Sequence, residues 1–284
     1  MVKIFITGAT GYIGGDALHA LLSTHPEYSY TALVRSGPRA VSLAATHPTL
    51  RLVYGDLSST SLITSEARAA DIVLHLADAD DAPSAQAIAE GLRSDESEEV
   101  YDDGEGVGSV TSLPDQALHR GVDKLVLAAG DEAGQGGKVR TAVVCPPCIY
   151  GRGRGAGNTR SMQVPELARV TVERGEGVRV GKGRARWTGL HVADLADLFV
   201  RLVEEAVKGG GEATWGREGY YFAEDGEFYW GDVSEWVLEE VRKKLLGWQP
   251  KRHGLREEVK DAVEVEAKKL GKLPGHAAKA AGDA

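Results

Sequence analysis

A glycine-rich turn at residues 7–15, with the sequence T-G-A-T-G-Y-I-G-G, constrains the fold more than any other stretch. The run V-K-I-F-I at residues 2–6 stands before it and is typical of a buried parallel strand. After it, apolar residues recur at helical spacing as far as Leu22. A strand, a glycine turn and a helix in this order are the context in which a glycine motif binds a dinucleotide.

Each of the three spaced glycines has a predicted task in such a turn. Gly8 allows the tight turn, Gly11 lets the backbone approach a pyrophosphate, and Gly14 lets helix and strand pack closely. Free N–H groups and the helix dipole would bind the pyrophosphate. The cofactor-binding residues predicted in this turn are Gly8, Thr10, Gly11, Tyr12, Ile13 and Gly14. The alternative is a glycine-rich turn that binds no ligand.

The spacing G-x-x-G-x-x-G within T-G-A-T-G-Y-I-G resembles the extended short-chain dehydrogenase/reductase superfamily, which includes sugar-nucleotide epimerases, dehydratases and related reductases. L-H-L-A at residues 74–77, I-Y-G at 149–151 and H-V-A-D-L-A at 191–196 extend the resemblance. It implies an α/β fold, a doubly wound parallel sheet (Rossmann fold) with a small C-terminal substrate lobe. We expect an NAD(P)-binding domain at residues 1–152, a substrate lobe with C-terminal helices at 153–284, and a frayed tail from about residue 272.

Hydrophobic periodicity supports this alternation of strands and helices. Further strands are predicted at residues 30–34, 50–54, 71–77, 139–145 and 219–223. Further helices are predicted at residues 38–46, 58–70, 84–93, 164–174, 195–207, 230–246 and 255–270. Residues 94–103 are acidic and aperiodic, which is typical of a solvated loop.

Composition narrows the partners and the compartment. The formal net charge of −9 gives a nucleic-acid surface no support, and no stretch has the apolar length that a bilayer requires. Two cysteines and an N-terminal strand that leaves no room for a signal peptide favour the cytoplasm. We therefore expect no nucleic acid and no membrane as partners. The resemblance implies a small-molecule substrate, and we also expect a homodimer.

The end of the second strand predicts the choice of cofactor. A carboxylate that binds the ribose 2′-hydroxyl is expected about twenty residues past the glycines, but no acid stands between Glu27 and Asp56. Arg35 stands there instead, with Arg39 nearby, and would suit a 2′-phosphate. NADP is therefore preferred to NAD. Alternatively, Arg35 is a solvated loop cation.

The resemblance assigns further cofactor contacts. It implies that Asp56 and Leu57 meet the adenine, although Asp56 or Ser58 could instead be the N-cap of the next helix. It places Leu76 and Ala77 under the cofactor, and the backbone of Pro146 and Ile149 beside the nicotinamide.

The two cysteines are spaced as C-x-x-C at residues 145–148, which invites a redox or zinc interpretation. A redox pair would sit at a helix N-terminus, and a zinc site needs two further ligands that the sequence does not offer. We therefore predict no metal site.

The catalytic Tyr-x-x-x-Lys of the family is absent, because no tyrosine has a lysine four residues later. Residues 115–134 have two interpretations. As the catalytic helix, which we prefer, they place Arg120 and Lys124 at the Tyr and Lys positions; as a fifth strand at 121–127, they leave that helix missing. Either way the chain is internally shortened. Lys124, with a bound water, is the remaining candidate for catalysis and would also hold the cofactor ribose.

Two further segments bear on the substrate side. The basic loop G-R-G-R-G-A-G at residues 151–157 is expected to border the substrate. His191 could be catalytic, but a structural role is preferred, with Asp194 at the start of the next helix.

The resemblance implies an NADP-binding oxidoreductase or an epimerase/dehydratase-like protein acting on a small hydroxyl- or carbonyl-bearing molecule. The missing tyrosine puts the activity of this chain in doubt. It favours a second hypothesis, a non-catalytic NADP-binding regulatory protein. A third possibility is a truncated, poorly folded isoform.

Overall fold

The computed structural model describes residues 1–35, 37–92, 119–131, 139–245, 247, 255–270 and 272. The chain divides into two compact units, residues 1–237 and residues 238–284. The domain boundary expected at 152/153 stays a prediction. The acidic segment at 94–103 and the end of the predicted frayed tail lie outside the described residues.

The described elements alternate between strands and helices in the first third of the chain. The strands are β1 (Lys3–Thr7), β2 (Ser29–Val34), β3 (Arg51–Tyr54), β4 (Ile72–His75), β5 (Val143–Cys145), β6 (Cys148–Tyr150), β7 (Arg186–His191), β8 (Tyr220–Phe222) and β9 (Glu227–Tyr229). The helices are α1 (Tyr12–Thr24), α2 (Pro38–Thr46), α3 (Thr60–Ala69), α4 (Ala82–Leu92), α5 (Arg120–Asp131), α6 (Gln163–Arg174), α7 (Val192–Val207), α8 (Trp230–Leu245) and α9 (Leu255–Lys269).

The central sheet has the strand order β3-β2-β1-β4 with every pair parallel. β1 pairs with strands on both sides, so that Ile4 lies beside Tyr30 of β2 and Ile72 of β4. Helical crossovers between parallel strands produce this order. The predicted α/β fold with a doubly wound parallel sheet is confirmed.

The two faces of β1 are buried against different helices. Ile4 and Ile6 belong to a core cluster that includes Leu18 of α1 and Val200 of α7, whereas Phe5 packs with Ile63 of α3. Alternate residues of a strand point to opposite faces, so one five-residue strand helps to build both cores. This burial fixes the carboxyl end of β1, where the glycine turn begins.

Short strands make up the rest of the described β-structure. β5 pairs in parallel with β8, β6 pairs in parallel with β7, and β7 pairs antiparallel with β9. The strand predicted at 139–145 is shorter in the structure, because only Val143–Cys145 finds a partner in β8. β6, β7 and β9 were not predicted. Among the described residues, β4 pairs with β1 alone.

Residues 120–131 form helix α5, so the helical interpretation of this segment is confirmed and the fifth strand at 121–127 is wrong. Val122, Leu127 and Ala129 are buried, as expected for the apolar stripe of an amphipathic helix. Residues 115–118 and 132–134 lie outside the described part of the chain.

No helix in the described part of the chain combines the length and apolar character needed to cross a membrane.

Candidate functional site

The glycine turn joins the carboxyl end of β1 to α1 and packs against the end of β4. Gly8 has φ +80°, and a β-carbon there would overlap the carbonyl oxygen of Leu76. A β-carbon on Gly14 would overlap the carbonyl oxygen of Gly8. Both obstacles are main chain, so neither position can accept a side chain unless the backbone moves. These two glycines hold helix and strand together at close range.

The N-terminus of α1 offers donors to an anion. Gly11 is its N-cap residue in an extended conformation, and its N–H donates to the carbonyl of Gly8 at 2.8 Å. By helix geometry, the N–H groups of Tyr12, Ile13 and Gly14 have no intrahelical acceptor. The first turn of α1 carries no acidic residue. These features fit a pyrophosphate.

The space over this N-terminus is open at Gly11. Among the described residues, a β-carbon on Gly11 would approach only the carbonyl oxygen of Gly8, at 3.1 Å. A larger side chain would therefore occupy space that is open in the structure, beside the start of α1. The open space at the start of α1 therefore depends on the absence of a side chain at Gly11.

Residues 151–158, which we call the strap, lie against this glycine turn. The Tyr12 hydroxyl donates to the carbonyl of Gly151 at 2.7 Å, and the Asn158 N–H donates to the carbonyl of Thr10 at 3.0 Å. The strap was expected to border the substrate. The structure places it against α1, so the side chain of Tyr12 and the carbonyl of Thr10 are committed to the strap.

An ion pair anchors the strap to α1. Asp16 is fully buried and accepts from the Arg154 backbone N–H at 2.6 Å, from Nε at 3.1 Å and from Nη2 at 2.6 Å. Burial raises the pKa of Asp16, but the hydrogen bonds from Arg154 outweigh it and hold the pKa below its ordinary value. The paired carboxylate can therefore lie near the N-terminus of α1 with its charge compensated.

Two cations flank the start of α2 beyond the end of β2. Arg35 and Arg39 are exposed there, and Gly37 is the N-cap residue, with φ +140° and no obstacle within 4 Å. The first turn of α2 carries no acidic residue. A 2′-phosphate at this position would meet positive side chains and a helix N-terminus together. The role of Arg35 stays a prediction.

Asp56 is held in a local turn beyond β3. Its Oδ1 accepts from the Ser58 N–H at 3.0 Å and the Ser58 hydroxyl at 2.6 Å, and these bonds lower the pKa of the carboxyl group. The N-cap residue of α3 is Ser59, one residue later than the alternative expected. Leu57 is half-buried against the core cluster of Phe5. The adenine contacts of Asp56 and Leu57 stay predictions.

The chain segments predicted to lie beneath and beside the cofactor converge in space. The main chain of Leu76 and Ala77 lies against Gly8, and the Leu76 side chain packs in one cluster with Ile13 and Ile149. This packing brings β6 close to the ends of β1 and β4, although β6 belongs to a different sheet.

Pro146 lies instead in the wall of an open cleft of about 700 Å³. The residues that line this cleft are His119, Pro146, Pro147, Gln163, Arg186, Trp187, Thr188 and Glu227. The lining includes two prolines and a tryptophan, and Arg186 and Glu227 form an ion pair at 3.1 Å. This composition suits a largely apolar molecule with a few polar groups.

The candidate catalytic lysine does not line this cleft. Lys124 is exposed on α5, and Arg120 is only 8% exposed. His119, just before α5, does line the cleft, and it was not among the predicted site residues. Its Nδ1 lies 2.8 Å from Oδ1 of Asp80, a residue of the loop after β4. A histidine within the segment predicted as the catalytic helix, residues 115–134, was the available signal, but nothing in the sequence connects it to Asp80.

His191 has the structural role that was preferred for it. It is the N-cap residue of α7, and its Nδ1 accepts from the Ala193 N–H at 3.1 Å. Its ring stands edge-on to Tyr150 with 5.5 Å between centroids. Asp194 lies in the first turn of α7, which begins at Val192 rather than at residue 195.

Cys145 and Cys148 are free thiols on β5 and β6, and burial raises the pKa of Cys148. Neither lies at a helix N-terminus, where a reactive thiolate would be stabilised. No group of three or more metal-binding side chains occurs in the described part of the chain.

Two family models match the chain. A model described as NAD(P)H-binding matches residues 8–141, and one described as the NAD dependent epimerase/dehydratase family matches residues 116–215. The oxidase ucsJ of an Acremonium species is 38% identical over 275 residues, covering 84% of this chain and 78% of that protein. An uncharacterized protein of Saccharomyces cerevisiae is 25% identical over 304 residues, covering 91% of this chain and 98% of that protein.

Solved structures share the fold. The dTDP-glucose 4,6-dehydratase of Bacillus anthracis in complex with NAD superposes with a TM-score of 0.59 at 16% identity, covering 89% of this chain and 92% of that one. MoeE5 in complex with UDP-glucose and NAD gives a TM-score of 0.54 at 18% identity, covering 94% of this chain and 99% of that one.

Proposed function

This chain belongs to the extended short-chain dehydrogenase/reductase superfamily, and from that premise we propose that it is an NADP-dependent oxidoreductase of a small hydroxyl- or carbonyl-bearing molecule. The family binds NAD(P), whereas the choice of NADP and the reaction are our proposals. The observation that carries cofactor binding is the N-terminus of α1, with its free N–H groups and the open space at Gly11, while Arg35 and Arg39 support the choice of NADP.

In this proposal, different parts of the chain bind different parts of the cofactor. The N–H groups at the start of α1 hold the pyrophosphate, Arg35 meets the 2′-phosphate, and the ends of β4 and β6 support the ring systems. When bound, the nicotinamide exchanges a hydride with a substrate carbon. The resemblance places Pro146 beside the nicotinamide, and Pro146 lies in the wall of the cleft. We therefore propose that the substrate binds in this cleft. In our proposal the cleft, and not the strap, determines which substrate is accepted.

Arg35→Ala is expected to abolish a preference for NADPH over NADH of roughly tenfold or more. A charge-assisted hydrogen bond to the 2′-phosphate contributes about 1.5–3 kcal/mol, and NADH has no group to receive it. Isothermal titration calorimetry with each cofactor measures the effect. Arg68→Ala, which removes an exposed arginine from the last turn of α3, is the matched control. Equal affinities of the wild-type protein for the two cofactors would disprove the NADP assignment.

A regulatory protein that binds NADP without turnover is the second candidate. It is favoured by the buried Arg120 at the position matched to the catalytic tyrosine, because a guanidinium stays protonated and cannot exchange a proton near neutral pH. The two candidates make the same prediction for cofactor binding. They differ in whether another residue can transfer the proton.

A further inference from the structure

We propose that His119, oriented by Asp80, transfers the proton in the reaction of this chain. The proposal rests on the proposed function, because it assigns a residue to the substrate cleft of the same site. His119 lines the cleft together with Pro146 and directly precedes helix α5. We matched α5 to the helix that carries the catalytic tyrosine in the family.

The position of His119 combines access with orientation. It lines the cleft beside Pro146, Pro147 and Trp187, and its side chain is 44% exposed. The carboxylate of Asp80 binds Nδ1 at 2.8 Å, which fixes the ring and leaves Nε2 on the opposite side of the imidazole. A base oriented by a carboxylate is the arrangement that general acid–base catalysis requires.

The backbone of His119 is the second observation. Among the described residues it is the non-glycine residue with positive φ, at +64°. Its carbonyl accepts from the N–H groups of Val122 and Asp123, so it also starts helix α5. Left-handed backbone at a residue with a side chain costs energy, and an exposed ion pair returns little of it. The contact with Asp80 therefore offsets little of the cost of this backbone conformation.

In the reductive direction the atoms balance as follows. The carbonyl carbon would receive a hydride from bound NADPH, which would leave as NADP⁺. Protonated His119 gives the proton on Nε2 to the carbonyl oxygen, so the carbonyl becomes a hydroxyl group. Neutral His119 then takes up a proton from the solution, so that each turnover consumes one proton. The cleft walls of proline and tryptophan suit a planar, conjugated carbonyl compound.

The test uses the full chain with NADPH and 9,10-phenanthrenequinone, a planar aromatic diketone, as the probe. His119→Gly removes the imidazole while glycine accepts the positive φ without strain. We expect kcat to fall by about 100-fold or more, and added imidazole to restore a measurable part of it. A structural role would not respond to imidazole. Asp80→Asn is expected to lower kcat by about tenfold without rescue, since the asparagine still holds the ring.

Two measurements independent of turnover accompany these rates. The affinity for NADPH, from nicotinamide fluorescence, and the thermal unfolding midpoint should stay close to wild type in His119→Gly. His25→Gln is the matched control, since it removes a histidine paired with Glu27 and Glu204 away from the cleft, and its kcat should stay near wild type.

Several results would overturn the proposal. They are a loss of NADPH affinity in His119→Gly, a kcat within about threefold of wild type, no rescue by imidazole, or wild-type protein that binds NADPH and leaves the quinone unreduced. The last result would favour the regulatory protein. A wild-type chain that binds neither NADPH nor NADH would instead overturn the proposed function itself.

Discussion

Gly11→Val should raise the dissociation constant for NADPH about 100-fold or more while the protein still folds. A valine side chain would fill the space in front of the N–H groups of Tyr12, Ile13 and Gly14 and would displace the pyrophosphate. Losing two charge-assisted hydrogen bonds costs about 3 kcal/mol or more, which corresponds to that change. The fold should tolerate the valine, because Gly11 has φ −81° and a β-carbon there meets one atom at 3.1 Å.

Gly8→Val is the contrasting variant. With φ +80° and the main chain of Leu76 in the way, it is expected to destabilise the fold itself, by about 3 kcal/mol or more. Circular dichroism and urea unfolding measure the effect of each variant on folding, and calorimetry measures its effect on cofactor binding. Wild-type affinity for NADPH in folded Gly11→Val would show that the turn is not a phosphate site.

Arg154→Leu should lower the free energy of unfolding by about 2–4 kcal/mol. It would leave the fully buried carboxylate of Asp16 without its cation, and an unpaired buried charge is costly. Arg154 is 39% exposed, so water screens part of the interaction. We therefore expect a smaller loss than the about 3–5 kcal/mol that breaking a fully buried ion pair costs. Urea unfolding measures the change. The double variant Asp16→Ala/Arg154→Leu should be more stable than Arg154→Leu, because no buried charge remains.

The same variant has a defined dependence on pH. The pKa of Asp16 is held below that of the unfolded chain, so the pair stabilises the fold above the ordinary carboxyl pKa. This contribution is lost as the pH falls through the folded value. The difference in stability between wild type and Arg154→Leu should therefore be largest near pH 7 and shrink below about pH 4. A constant difference down to pH 3 would contradict the role given to the ion pair.

Local patterns were sufficient to predict the first half of the fold. The central strand β1 is recognisable as an apolar run because both of its faces are buried, and the helix after the glycine turn is recognisable by its helical period. β6 and β9 have three residues each, which is too short for a period to appear. Their strand conformation comes from partners that are distant in the sequence.

The candidate site divides in the same way. The glycine turn could be predicted because its task depends on backbone geometry within eight residues. The contact between His119 and Asp80 could not, since 39 positions separate them and a turn after β4 brings them together. Lys124 was predicted from its spacing along a helix, whereas His119, at the beginning of that helix, lines the cleft. The spacing of residues along α5 did not show which end of this helix lies at the cleft.

The anchoring of the strap sets an order on how the nascent chain can mature. Arg154 follows Asp16 by 138 positions, so a ribosome adding about 5–20 residues per second delivers the cation about 7–28 s after the carboxylate. Until then the acid must remain hydrated or take up a proton, and α1 cannot settle fully against β1. The packing of β1 and α1 is therefore completed by a residue that is synthesised much later, Arg154. A fragment that ends at residue 152 would contain the whole glycine turn yet lack the residue that secures it.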